Sequence, residues 1–281
     1  MNSKLIYKLR GVCAVTLFAL SFLSYSDTLE KGLLEAKQVS KEVFTGHAYS
    51  LETGALLYTE HHSIFSSDDN RRSYSFVEYK SPDNALIASK SLEYDKQGYF
   101  PSFHFFDLRT DHIMNVEKSD SGIIISQVGA DSQEGEVETE TVAALKNDIM
   151  IADAGFDVFM MKNWASLVDG DIQKVEFLAP TRNRFVSFKI VRTKIEEDKV
   201  SFSLAPDNFF IAMLVDPILL EYELKTGRIL SYKGLTNIEE VIDGKLTGDN
   251  YLAHIKYSYP KSTQSRHLSH SNRHPSLNYT Y

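Results

Sequence analysis

Across 281 residues the chain sets 30 Lys and Arg against 38 Asp and Glu, a net charge of −8, with a single cysteine, Cys13. An acidic surface repels phosphate backbones, which argues against nucleic acid as a partner, and one cysteine rules out a disulfide scaffold. The sequence has no Gly-x-Ser-x-Gly elbow, Gly-rich phosphate loop or dinucleotide fingerprint, so none of these motifs assigns it a reaction.

Residues 1–10, MNSKLIYKLR, carry three cations and no acid, residues 11–23 are apolar or small, and Ser24-Tyr25-Ser26 follows. A basic start, a short apolar core and a small-x-small exit make a cleavable secretory signal. The apolar run is shorter than the roughly 20 residues that a membrane span needs. Cleavage is expected near Ser26, with the periplasm as destination and the membrane met only through the signal. An uncleaved anchor is the alternative. Cleavage removes Cys13 and three cations but no acid, so the mature chain has no thiol for catalysis and its charge becomes −11. A domain of this size buries enough surface to fold without disulfides.

Residues 27–42 place Leu29, Leu33, Leu34 and Val39 among charges and read as a helical or frayed lead-in. From Val43 the texture becomes that of β-structure: VFTGHAYSL, ALLYTEHHSIF, RSYSFVEYK, LIASKSLEYD, FHFFDL, IMNVEK and GIIISQV, separated by turn residues. Residues 129–141 are acidic and read as an exposed excursion. Residues 153–171 break the pattern. Phe156, Phe159, Trp164 and Leu167 share one stripe at helical spacing, Asp153 is placed to cap the start and Gly170 to end it, so one main helix is expected here. IQKVEFLA, RFVSFKIVRT and VSFSL resume as strands. Residues 206–217, PDNFFIAMLVDP, read as a short apolar helix starting at Asp207 or Asn208, with a buried strand as the alternative. ILLEYELKTGRILSYKG is a hairpin and YLAHIKYSY a last strand. Residues 260–281 have three cations, no acid and little to build a core from, and read as a disordered tail. The domain therefore spans residues 43–259.

LETGALL at 51–57 and LKTGRIL at 224–230 nearly repeat. Both read as a strand, a Thr-Gly turn and a return strand, glycine supplying the positive φ of a tight hairpin. One turn device used twice explains this, with duplication of a meander as the alternative.

The sites that carry chemistry are sparse. His267, His270 and His274 have metal-compatible spacing but lie in the tail, which offers no scaffold, so no metal or cofactor is expected. His61 and His62 are neighbours in a strand and point to opposite faces. Asp107, Asp111, Asp153 and Asp157 include no clear catalytic pair, and the first two read as solvated turn acids. What remains is apolar. A curved antiparallel sheet encloses a concave space that a helix plugs or a ligand fills. Phe156, Phe159, Trp164, Phe209, Phe210, Met213 and Leu214 are the expected cavity lining.

ADAGFDVFMMKNW, FLAPTR and LVDPILLEYELKTGRILSYKGLTNI resemble a family of uncharacterised exported proteins of Gram-negative bacteria, over residues 44–258. The order of strands with a helix laid across them is more distantly similar to the lipoprotein-carrier half-barrels of the envelope, and that similarity implies an acyl chain inside an incomplete barrel. The expectation is a mainly β chain, a curved antiparallel sheet or half-barrel with one main helix packed across it and a short apolar helix. Its expected function is non-enzymatic binding of an apolar or lipid-like ligand or an envelope component. A structural protein of the cell envelope with a packed core, binding partners by a strand edge, is the alternative.

Overall fold

The computed structural model describes residues 40–67, 69, 71–128, 137–145, 148–208, 216–242 and 245–260. The expected signal peptide, the lead-in up to residue 39, the apolar segment 209–215 and the tail from residue 261 lie outside the described residues.

Among the described residues fifteen strands form one sheet. In its first half lie β1 (Ser40–Ser50), β2 (Leu56–Ser66), β3 (Arg72–Lys80), β4 (Leu86–Glu93), β5 (Ser102–Asp107), β6 (His112–Ser119), β7 (Gly122–Val128) and β8 (Glu138–Val142). The second half holds β9 (Met150–Ile151), β10 (Gln173–Ala179), β11 (Arg184–Ile195), β12 (Lys199–Pro206), β13 (Ile218–Glu223), β14 (Ile229–Ile242) and β15 (Lys245–Ser258). Each half is a meander, and antiparallel pairing of β1 with β15 joins them, Thr45 opposite Ser258 and Ser50 opposite Ala253. The only parallel pair among the described residues is β9 with β10. Parallel neighbours need a crossover, and two helices supply it: α1 (Gly155–Lys162) and α2 (Trp164–Asp169).

The edges of this sheet are β8 and β9, which are consecutive in the chain. Laid flat, fifteen strands at roughly 4.8 Å spacing would part the edges by about 67 Å. The seven residues between β8 and β9 reach at most about 30 Å when extended. The sheet therefore curls strongly, and it stays open, without closing into a barrel. Curling directs alternate side chains inward. One half of the interior is filled by Tyr58, Tyr79, Leu92, Phe103, Val116, Ile123 and Ile255, among others. In the other half the helices press Phe159, Met160, Trp164 and Leu167 against Val175, Ile190, Phe202 and Tyr222.

Several expectations need correction. The single helix over 153–171 is two, broken at Asn163, whose side-chain amide donates to the Phe159 carbonyl at 2.9 Å. Local side-chain bonding of this kind competes with helix continuation. Asp153 does not cap α1. It sits at φ 43 with its carboxylate turned to Lys90, and Ala154 takes the cap position without a side-chain bond. Gly170 does end the second helix, at φ 102. The acidic excursion ends in a strand, since Glu138–Val142 pairs with β7 while exposing Glu138 to Thr141. The strand expected to end at Gly234 continues to Ile242, and its partner starts at Lys245 rather than Tyr251. Asp207, one of the two residues expected to start the short apolar helix, bridges Lys174 of β10 and Lys189 of β11 with its carboxylate, and the body of that helix, residues 209–215, lies outside the described residues.

The two Thr-Gly turns close alike. Gly54 N–H donates to Ser50 O at 2.9 Å and Ser50 N–H to Ala55 O at 2.9 Å; Gly227 N–H donates to Glu223 O and Glu223 N–H to Arg228 O, both at 2.8 Å. Both glycines take positive φ, 71° and 66°.

Candidate ligand cleft

Of the expected cavity lining, Phe159 and Trp164 are buried and Phe156 half-buried. Trp164 packs edge-on against Tyr222 and Phe202, with ring centroids 5.7 and 6.2 Å apart, Phe159 against Tyr99 at 5.3 Å, and Phe156 tilts against Phe177 at 6.4 Å. These contacts bring the three into one packed cluster. Phe209, Phe210, Met213 and Leu214 fall outside the described residues.

Two polar pairs add to the apolar packing that fixes the helices across the sheet. Lys90 of β4 donates to Asp153 at 2.7 Å and Arg72 of β3 to Asp157 at 2.5 Å, the two cationic side chains being 7% and 8% exposed. Burial pushes the Lys90 ammonium down, but Asp153 and Tyr79 more than offset it and hold the group above its ordinary value. Arg72 is likewise lowered by burial and raised further by Asp157 and Tyr94. Both cations stay charged because a carboxylate is already in place.

Beside this seam lies a nest around Glu60 of β2. Its carboxylate meets His62 Nε2 at 2.9 Å and accepts from Tyr257 Oη at 3.2 Å. Gly46 leaves the room: a Cβ there would stand 2.8 Å from the Tyr257 ring and 3.0 Å from Glu60 Oε2. Burial first, then the Glu60 charge, pushes Tyr58, Tyr257 and Tyr232 above their ordinary phenol values. His61 faces the other way, with Thr59 Oγ1 3.2 Å from its ring nitrogen, as two strand neighbours should.

A small cleft shared with solvent, with room inside it for about one water molecule, lies at this face. Phe44, Ile64, Met161, Ile229 and Tyr259 give it apolar walls, and Arg72, Arg228, Asp157 and Glu42 supply the charge. Tyr259 stacks on Phe44 with centroids 5.0 Å apart, and Phe44 on His62 at 4.3 Å and 6° between planes. The Arg228 guanidinium lies over the Tyr259 ring at 4.7 Å, an attractive cation–π arrangement. Arg228 Nε donates to Glu42 Oε1 at 3.2 Å; Nη2 is equally far from that same oxygen but makes no hydrogen bond and is buried.

Of the two remaining acids, Asp107 has a structural partner. Asp107, expected to be solvated, is 3% exposed. It takes both arms of Arg109, at 3.0 and 2.6 Å, while Arg109 reaches Glu239 O at 2.9 Å and ties the β5–β6 turn to β14. Asp111 sits exposed in that turn at φ 55. Among the described residues no group of three or more His, Cys, Asp or Glu side chains is arranged to hold a metal ion.

Sequence reasoning missed Arg228, although a signal was present. The two turn motifs differ after Thr-Gly, Ala55 in the first and Arg228 in the second.

No family model matches the chain, and no curated protein does. Solved structures similar to it include a β-barrel-like protein of a domain of unknown function, DUF1849, from Brucella abortus, at 8% identity and TM-score 0.43, covering 79% of this chain and 98% of that one. A DUF1329 family protein from Desulfovibrio piger matches at 12% identity and TM-score 0.26, over 88% and 96%. A porin-like protein from Bacteroides uniformis matches at 10% identity and TM-score 0.27, over 78% and 96%. Fold and site together define an open, curled antiparallel sheet plugged by a helix pair, with an amphipathic cleft beside the plug.

Proposed function

We propose that the chain is a non-enzymatic periplasmic binding protein that takes an apolar or lipid-like ligand at the cleft between α1 and the β1–β3 and β13–β14 ends of the sheet. The observation that carries this is the stacked wall of Phe44 and Tyr259, continued by Ile64, Met161 and Ile229, standing open beside an interior already filled around Trp164. Apolar surface left facing a concavity is where an apolar body gains most by leaving water. Export is supported by the first 26 residues, basic and then apolar with a small-x-small exit. The test is native mass spectrometry of the exported chain purified without detergent. Added mass that organic extraction releases as lipid supports the reading. A bare chain mass that stays bare when lipids are offered removes it.

A second reading has its own observation. Among the described residues strand β8 pairs on one side only and exposes Glu138, Thr139, Glu140 and Thr141, and a free strand edge is a template for an added strand. Hydrogen exchange of the β8 amides, compared between the purified chain and the chain bound to isolated envelopes, tests it. Slowed exchange supports an edge-bound partner; unchanged exchange excludes one.

A further inference from the structure

The cleft contains an arginine whose bonding is incomplete. Arg109 shows what a closed pair looks like in this molecule: two nitrogens on two oxygens of Asp107, at 3.0 and 2.6 Å. Arg228 brings Nε and Nη2 to 3.2 Å from one and the same oxygen of Glu42, and only Nε is aligned to donate. Its Nη2 is buried without a hydrogen bond in a side chain 14% exposed. A buried donor left unmade is costly and calls for an acceptor. A guanidinium fork is best met by a planar or tetrahedral oxyanion.

The surroundings favour that choice. Tyr259 lies under the guanidinium at 4.7 Å, and the Phe44 ring continues that wall at 5.0 Å. The second guanidinium of the cleft, Arg72, is committed to Asp157 at 2.5 Å and is 92% buried by its 8% exposure. Arg228 is therefore the cation with capacity to spare, and Glu42 is the carboxylate that competes for it.

Resting on the reading of the cleft as a ligand site, we infer that the ligand carries an oxyanion, a carboxylate or a phosphate, that Arg228 holds at the unmade donor while the apolar part lies along Phe44, Tyr259, Ile64 and Met161. The same chemistry is presented by a lipid head group and by free phosphate, and the test separates them.

The experiment measures the binding of dodecanoate, dodecanol and inorganic phosphate to the full chain by calorimetry, in the unaltered protein and in Arg228→Gln and Glu42→Gln. Dodecanoate is expected to bind about tenfold or more tighter than dodecanol, the worth of one charge-assisted hydrogen bond. Arg228→Gln should abolish that preference while leaving dodecanol unchanged. Glu42→Gln should widen it by removing the competing carboxylate, and it keeps the test valid if Arg228→Gln fails to fold. Phosphate binding that dodecanoate displaces also supports the inference and shows that the anion is held without a tail. Equal affinity for dodecanoate and dodecanol overturns the inference and leaves the cleft reading standing. No binding of any of the three overturns both.

Discussion

Gly155 sits in the first turn of α1, where alanine would ordinarily raise helix stability by about 1 kcal/mol. Here a Cβ would stand 2.0 Å from the Tyr99 carbonyl oxygen and 2.7 Å from Pro101 Cδ. Backbone cannot move aside as a side-chain tip can, so the clash outweighs the propensity. Gly155→Ala is expected to destabilise by about 3 kcal/mol, at the upper end of overpacking costs, as a lowered urea midpoint. A raised midpoint would show that α1 is not seated against residues 99–101. Single residues of this kind were only partly legible in the sequence. Gly170 and the two Thr-Gly turns announced themselves, because their constraint is local. Asp153 did not, because the Lys90 that draws it away from the helix cap is 63 residues distant. Arg228 was legible only as one of several differences between the two Thr-Gly turns, beside Glu52 against Lys225.

At the scale of elements, the helix pair is held by apolar burial and by two ion pairs at once. Burying Phe159, Met160, Trp164 and Leu167 contributes roughly 1.5–3 kcal/mol each. The Lys90–Asp153 pair adds little net stability as a unit, but half of it is expensive, since a lone buried ammonium has lost its counter-charge. Asp153→Asn should therefore cost about 3–5 kcal/mol, while Lys90→Met combined with Asp153→Asn should recover most of the loss. A denaturation double-mutant cycle reads this directly, and additive losses would mean that the two groups act independently. The apolar stripe of the helix was readable from spacing alone. Its break at Asn163 and its two anchors were not, since the first depends on one side-chain bond and the others on strands that only the fold brings near. The strands β3 and β7 match the sequence reading to the residue, Arg72–Lys80 and Gly122–Val128, because alternation and turn residues bound them on both sides. The β14–β15 hairpin was under-read because Gly234 and Asn237 resemble turn residues while the strand runs through them with shifts of register.

At the scale of the whole molecule, the first and last described strands meet in the middle of one sheet. Pairing of β1 with β15 joins residues more than 200 positions apart, which local pattern cannot announce, although a curved antiparallel sheet with a helix across it was expected and is present. Its inner surface carries a population of buried and half-buried phenols. Burial raises Tyr58, Tyr79, Tyr222, Tyr232 and Tyr257 above the ordinary value near 10. A folded-state value raised above the unfolded one gives stability that is complete below about pH 10 and is lost as the pH climbs beyond it. In an alkaline titration, phenolate absorbance of these tyrosines should rise only together with unfolding, while exposed tyrosines ionise earlier. Full ionisation of every tyrosine near pH 10 with the fold intact would refute the packed interior.

The most direct test of the account uses two adjacent residues. Met160 is fully buried in the core beside Trp164, whereas Met161 lines the cleft. With methyl-labelled methionine, each methyl can be followed by NMR while dodecanoate is added, Met161→Leu serving to assign the signals. A ligand seated in the cleft shifts Met161 and leaves Met160 in place. Movement of Met160 with the Trp164 indole would put the ligand in the core instead, and movement of neither would contradict the site altogether.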